Sequence, residues 1–148
     1  MTAGYSGTPL GRKLGIKPGH LVAFSGGAVP GSDEPPHRRV ADGVAAEVGA
    51  SVCVRTDLRA RGPYDVIVVF VRSEGELRRR FEQARARLAM AGGLWVAWPK
   101  QKSPLATKLK EGHVRTYGLS TGLVDNKVCA IDDDWSGLRF VVRTKDRP

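Results

Sequence analysis

The sequence predicts an open α/β domain of three layers, in which helices cover both faces of a mostly parallel sheet. Residues 66–71 form an unbroken run of β-branched and aromatic side chains, which is typical of a central strand covered on both faces. Apolar side chains then recur at helical spacing over residues 77–91. Alternating side chains over residues 138–143 predict an antiparallel hairpin at the end of the chain. Crossover helices make neighbouring strands parallel, so only this hairpin departs from the parallel pattern.

The N-terminal residues predict a brace ahead of the sheet. Thr8 is the expected N-cap of a short helix over residues 10–14, with Pro9 at its first position. Gly15 and the Pro-Gly pair that follows end this helix. We therefore assign residues 1–19 to an N-terminal brace.

A strand, a long loop, a helix and a second strand are predicted next. Residues 21–24 form the first strand, and residues 26–36 are a Gly/Pro-rich loop that holds no regular structure. Apolar side chains on one face predict a helix over residues 38–48, which Gly49 closes. Residues 51–54 predict the second strand.

The helix after the central strand has recognisable ends. Ser73 is its expected N-cap, and Glu74 and Glu76 lie in the first turn, where the helix dipole favours negative charge. Its period continues to Ala91, and Gly92 follows as a stop signal. The remaining predicted elements are a strand at 94–98, a basic stretch without period at 101–110, a helix at 111–121, and a hairpin of strands 128–131 and 138–142.

Composition limits the class of protein but not its function. The chain has 148 residues, with 24 Lys and Arg against 15 Asp and Glu, for a net charge of +9. Its length fits one domain, residues 1–148, and 41% hydrophobic residues argue against disorder over most of it. A positive field attracts phosphates, nucleic acid and acidic partners without choosing among them.

Cysteine and histidine usage predicts neither a disulfide framework nor a structural metal. Cys53 and Cys129 each lie in an apolar run, where a thiol usually behaves as a small buried hydrophobe. The three histidines are scattered rather than clustered at zinc-ligand spacing. No apolar run has membrane-spanning length and residues 1–9 lack a signal-peptide pattern, so we expect a cytoplasmic protein without a membrane partner.

Residues 64–143 resemble the second half of class I methyltransferases. The resemblance comes from Tyr-Asp-Val-Ile at 64–67, from a helix that ends over residues 88–93 before Leu-Trp-Val at 94–96, and from the closing hairpin. It implies a Rossmann-like fold. The chain is also similar to a small bacterial family of unknown function, in residues 5–10 (YSGTPL), 14–19 (LGIKPG), 94–100 (LWVAWPK), 122–125 (GLVD), 127–132 (KVCAID) and 135–138 (WSGL).

The methyltransferase resemblance also implies a cofactor, S-adenosylmethionine, but the expected cofactor residues are missing. These enzymes carry an acidic residue and a G-x-G-x-G turn after the first strand, and residues 24–28 lack that pattern. Arg55 stands where a carboxylate would hold the ribose, although Asp57 follows two residues later. A strand and a helix are missing between residues 55 and 65. The resemblance therefore implies a truncated fold with a degenerate cofactor site.

Ligands of open α/β sheets bind beyond the carboxyl ends of the strands, near the switch in strand order. Amides, hydroxyls and ammonium groups collect at that predicted edge and suit a phosphate or a carboxylate. The alternative is that the lysines only solvate a loop. The predicted anion-binding residues, with the tryptophan as an apolar wall, are Gly26, Gly27, Arg72, Ser73, Trp98, Lys100, Lys102 and Thr107.

Two further clusters have a plain structural explanation beside a functional one. The acidic triplet 132–134 suits a hard cation, but such a run more often bonds the amides of a hairpin turn. Trp135 is expected in the core. The arginines of the long helix suit a nucleic-acid backbone, yet a solvated helix face explains them better because glutamates interrupt them; they are Arg78, Arg79, Arg80, Arg85 and Arg87.

Three functions remain open from the sequence. The leading one is noncatalytic binding of a small anionic ligand or of a protein partner. The second is a methyltransferase-like enzyme with an altered S-adenosylmethionine site. The third is weak, sequence-independent association with nucleic acid, which salt would abolish.

Overall fold

The computed structural model describes residues 8–29, 31 and 34–147, and its six strands form one mixed sheet. The order across the sheet is β2-β1-β3-β4-β6-β5. The first four strands of the chain run parallel, and β6 is antiparallel to both β4 and β5. This architecture confirms the predicted α/β class with its C-terminal antiparallel pair. The strands are β1 (Leu21–Gly26), β2 (Cys53–Arg55), β3 (Tyr64–Phe70), β4 (Leu88–Pro99), β5 (Val124–Ala130) and β6 (Trp135–Val141).

Helices cover both faces of the sheet. Two of them, α1 (Leu10–Lys13) and α2 (Pro36–Val48), lie on one face, and α3 (Glu74–Arg85) and α4 (Glu111–Ser120) lie on the other. The sheet is therefore the middle of three layers.

None of the helices in the described ranges is both long and apolar enough to cross a membrane.

The central strand of the sheet is buried on both faces, as its sequence predicts. Residues from Ile67 to Val71 have no exposed surface. Val69 packs in the cluster that contains Phe81 of α3, whereas Val68 packs in the cluster that contains Val44 of α2. Each β-branched or aromatic side chain of this segment thus contributes to one of two hydrophobic cores.

The switch in strand order falls between β1 and β3. From β1 the chain passes through α2 to β2 on one side, and from β3 it passes through α3 to β4 on the other. The carboxyl ends of β1 and β3 therefore lie side by side with helices leaving in opposite directions. This is the crevice where such sheets hold ligands.

The predicted end of α3 is wrong. The helix stops at Arg85, and β4 begins at Leu88 rather than at residue 94. The backbone amide of Tyr64 donates to the carbonyl of Arg87 at 2.9 Å, and Tyr64 pairs with Leu88. Hydrogen bonds within the sheet satisfy the backbone from this point, so the segment is extended. It is extended even though Leu88 and Ala91 keep the helical spacing of apolar residues.

Smaller boundaries also differ from the predictions. Pro9 has an extended backbone and is itself the N-cap of α1, which makes no side-chain capping bond, so Thr8 is not the cap. Strand β1 runs two residues further, to Gly26, and α2 begins at Pro36. Cys53 is exposed rather than buried, because β2 is the edge strand of the sheet. Residues 1–7, 30, 32 and 33 of the predicted brace and loop lie outside the described residues.

Candidate functional site

The eight predicted site residues share the carboxyl edge of the sheet. Gly26 ends β1, and Arg72 and Ser73 follow β3. Trp98 lies near the end of β4, and the other basic or hydroxyl-bearing residues lie in the connection to α4. A groove of 610 Å³ between α3 and α4 begins at the same edge, but none of the eight residues lines it. The positions are those of Gly26, Gly27, Arg72, Ser73, Trp98, Lys100, Lys102 and Thr107.

Ser73, Thr107 and Trp98 contribute to the local structure of this edge. The hydroxyl of Ser73 accepts the amide of Glu76 at 3.1 Å, which confirms Ser73 as the N-cap of α3. The hydroxyl of Thr107 accepts the amide of Leu109 at 3.1 Å. Trp98 is only 4% exposed and packs in the core beneath α3 and α4. Its indole therefore packs in the core underneath the carboxyl edge of the sheet.

The switch point contains an arginine that the sequence analysis assigned to a solvated surface. Arg80 of α3 donates from Nη1 to the hydroxyl of Ser25 at 2.9 Å and from Nε to Glu76 at 3.2 Å. The other carboxylate oxygen of Glu76 accepts the amide of Arg72 at 2.8 Å. Arg80 thus ties α3 to the end of β1. The remaining arginines of that cluster, Arg78, Arg79 and Arg85, are exposed, and Arg87 is half-buried.

The hydrogen bonds of Arg80 with Ser25 and Glu76 were not predicted from the sequence, because the contact with Ser25 depends on the tertiary structure. The i,i+4 spacing of Glu76 and Arg80 was visible and predicts an ion pair on a helix face. Arg80 also lies three residues after Leu77, which faces the core. That spacing was the signal that Arg80 points toward the sheet rather than to solvent.

The two glycines at the end of β1 allow very close packing. Gly26 and Gly27 have φ values of 88° and 81°, which side chains rarely adopt. A Cβ on Gly26 would lie 2.5 Å from the carbonyl oxygen of Phe70 and 2.6 Å from Cδ of Arg80. A Cβ on Gly27 would lie 2.9 Å from Cγ of Pro36. Protein atoms therefore fill the space that these glycines leave open.

His37 adds a titratable group to this edge. Its Nδ1 lies 3.1 Å from the carbonyl oxygen of Gly26, to which it donates. Burial lowers the pKa of His37, and the positive charges of Arg38 and Arg80 lower it further. The neutral imidazole is accordingly the favoured form beside Arg80.

These residues do not fit S-adenosylmethionine. The open sides of the glycines face Phe70, Pro36 and Arg80 rather than a cradle for the methionine moiety. Arg55 at the end of β2 is exposed and carries the wrong charge for a ribose contact. The carboxylate of Asp57 accepts the amide of Arg59 at 3.0 Å in a local turn. Residues 56–63 contain neither helix nor strand.

The guanidinium of Arg72 is only partly hydrogen-bonded. Its Nη2 reaches the carbonyl oxygen of Leu105 at 3.4 Å, and its Nε is buried without a hydrogen-bond partner. The side chain lies beside the start of α3, whose dipole also favours negative charge. An anion placed here would gain from both groups.

The acidic triplet is a turn. A single carboxylate oxygen of Asp132 accepts the amides of Asp134 at 2.8 Å and Trp135 at 2.9 Å. Its other oxygen pairs with Arg39 at 2.8 Å. Trp135 is completely buried, as predicted. Within the described ranges, no three His, Cys, Asp or Glu side chains are arranged to hold a metal ion.

Comparison with solved structures shows a methyltransferase-like fold. The chain matches a TehB-like SAM-dependent methyltransferase from Corynebacterium glutamicum with 11% identity and a TM-score of 0.54, covering 95% of this chain and 91% of that one. It matches magnesium protoporphyrin IX methyltransferase from Synechocystis PCC 6803 with 14% identity and a TM-score of 0.52, covering 85% and 75%. It matches a ribosomal protein L11 methylase from Lactobacillus delbrueckii subsp. bulgaricus with 16% identity and a TM-score of 0.53, covering 91% and 75%.

Sequence comparison adds a family. A family model described as a protein of unknown function (DUF3052) matches residues 11–144. A search of the curated proteins found no match. The family match spans the sheet and all four helices except the first residue of α1.

Proposed function

The chain belongs to the DUF3052 family of proteins of unknown function, and from that premise we propose that it is a noncatalytic protein that binds a small anionic ligand. The ligand is held at the carboxyl edge of the sheet by Arg72, Lys100 and Lys102, beside the N-terminus of α3. The other predicted residues at this edge build the support: Ser73 caps α3, Thr107 shapes the loop, and Trp98 packs below.

The observation that carries this proposal is the state of Arg72. A buried guanidinium Nε without a partner costs free energy, and an anionic oxygen would satisfy it. A carboxylate or phosphate suits the planar fork of an arginine. The ligand therefore supplies the hydrogen-bond acceptor that the Nε of Arg72 lacks in the described part of the protein.

The absence of catalysis is supported by the occupants of the switch point. Arg80 donates to both Ser25 and Glu76 where a methyltransferase needs space for its cofactor. An arginine there repels the positively charged sulfonium of S-adenosylmethionine.

Isothermal titration with nucleotides, phosphorylated metabolites and small dicarboxylates tests the proposal. At least one compound should bind in a one-to-one ratio. The variant Arg72→Gln should weaken its binding by about tenfold or more, the loss expected for one hydrogen bond between charged groups. Arg78→Gln is the matched control, because Arg78 is an exposed arginine of α3. Equal loss in both variants, or a panel without binding, contradicts the proposal.

A thermal shift with S-adenosylmethionine distinguishes the enzyme alternative. A ligand present at one hundred times its dissociation constant stabilises a protein by about 2.7 kcal/mol. For a chain of this size, that corresponds to a rise in Tm of about 8 °C. We expect no rise, and a clear one would replace the noncatalytic proposal with the enzyme.

A further inference from the structure

A second cluster of cations lies at the opposite edge of the sheet, where the parallel strands begin. It lines a cleft of 420 Å³ between the segment that precedes β1, the start of β3 and the β5–β6 pair. None of the residues predicted at the carboxyl edge lines this cleft. Its basic side chains are Lys13, Lys17, His20, Lys127 and Arg139.

The charge of this cleft is unbalanced. Asp65 is the acidic residue among its lining side chains, and its Oδ2 accepts the backbone amide of Leu21 at 2.8 Å. Among the described residues, none of the three lysines and neither His20 nor Arg139 forms an ion pair within 4.0 Å. Three lysines and one arginine against one aspartate leave a net charge of +3 in one concave site.

Arg139 is a partly buried cation of the cleft. It faces Trp95 across the β4–β6 pair, and its guanidinium lies over Gly93, where a Cβ would collide with it. Its Nε is buried and has no hydrogen-bond partner in the described part of the chain. Burial lowers the pKa of Arg139, and the charge of Arg147 lowers it further. Among the described residues, this partly desolvated guanidinium has no ion-pair partner within 4.0 Å, which is unfavourable unless an anion joins it.

The neighbouring side chains are arranged as hydrogen-bond donors. The ammonium of Lys127 donates to the carbonyl oxygen of Lys13 at 2.9 Å, which fixes it beside the end of α1. The Nδ1 of His20 accepts the amide of Lys17 at 3.1 Å. In the neutral ring this leaves the proton on Nε2, which is then a donor.

We propose that this cleft binds the phosphoryl groups of a small phosphorylated molecule, with Arg139 as the fork that pairs two phosphoryl oxygens and the lysines as point charges around it. This division follows the chemistry of the two side chains, because a guanidinium matches phosphate in a bidentate geometry and an ammonium does not. The site is separate from the anion site of the proposed function.

Isothermal titration calorimetry with inorganic pyrophosphate tests the proposal. Pyrophosphate should bind, and Arg139→Gln and Lys127→Gln should each weaken binding by about tenfold. The control is Lys145→Gln, since Lys145 is an exposed lysine outside the cleft. Lys13→Gln changes the last residue of α1 and should also weaken binding, so the proposal stays testable if Arg139→Gln does not fold.

The outcomes for the two anion sites are distinguishable. If Arg72→Gln abolishes pyrophosphate binding and Arg139→Gln leaves it unchanged, the cleft proposal fails and the carboxyl-edge site stands. If the reverse holds, pyrophosphate occupies the cleft. The proposed function is then decided separately, by the titration with nucleotides, phosphorylated metabolites and small dicarboxylates. No pyrophosphate binding, or equal loss with Lys145→Gln, overturns the cleft. A DNA duplex that displaces pyrophosphate with equal affinity shows a nucleic-acid surface instead.

Discussion

At the carboxyl edge of the sheet the guanidinium of Arg80 donates to Ser25 and Glu76, whereas at the amino edge the guanidinium of Arg139 has a buried Nε without a partner. Both arginines are partly buried, and both lie beside a glycine whose Cβ position their side chains occupy. The protein therefore places two similar side chains in two opposite electrostatic environments.

This difference separates a structural arginine from one that is available for a ligand. Arg80 completes a hydrogen-bond network between α3 and the end of β1. Arg139 sits among lysines in an open cleft with a single acidic neighbour. Partial burial of an arginine is thus not by itself a sign of a site; the hydrogen-bond partners decide.

The largest expected contrast between the two edges is at their glycines. Gly26 and Gly15 both have φ near 80–90°, at 88° and 81°, but a Cβ on Gly15 would meet nothing within 4 Å. Gly15→Ala should cost about 1 kcal/mol, the strain of the left-handed backbone alone. Gly26→Ala should cost about 3 kcal/mol or more, because the new methyl also collides with the carbonyl of Phe70. Urea unfolding of both variants measures the difference, and equal losses would show that the crevice is loosely packed.

A smaller contrast is expected at the arginines themselves. Arg80→Met should lower the free energy of unfolding by about 2 kcal/mol, because Ser25 and Glu76 lose their shared donor in a mostly buried site. Arg139→Met should be neutral or stabilise the fold by up to about 1 kcal/mol, because it removes a desolvated charge that has no partner. Thermal or urea unfolding in low salt compares them. A large loss for Arg139→Met would mean that the cleft has an internal counter-charge.

The sequence was sufficient for the fold because its strongest patterns agree with the tertiary structure. The β-branched and aromatic run at 66–71 is typical of a buried strand, and Ser73 with its acidic first turn marks the start of α3. The end of α3 was not predictable, since Leu88 and Ala91 keep the helical period while β3 already pairs with that segment. A local pattern cannot report a competing sheet partner.

The candidate sites were only partly predictable. The edge that collects Arg72 and the lysines follows from the rule for parallel sheets and from the order of the strands. The pairing of Arg80 with Ser25 joins residues 55 positions apart, and the cleft at the amino edge joins Lys13 to Arg139 across the whole domain. Residues so far apart in the sequence come together only when the chain folds, so their spacing in the sequence does not predict these contacts.

The smallest expected effect is a pH dependence at the carboxyl edge, which comes from His37. Burial lowers the pKa of His37 below its ordinary value of 6.5, so the folded state favours the neutral ring and the unfolded state takes up the proton first. The contribution of His37 to stability is therefore complete above pH 6.5 and is lost as the pH falls from there through the lowered pKa. Because the ring is half-buried, solvent screening keeps this loss small. Urea unfolding between pH 5 and 8 should show this slope in the wild type and a flatter one in His37→Gln; identical slopes would mean that the ring beside Gly26 and Arg80 is fully hydrated.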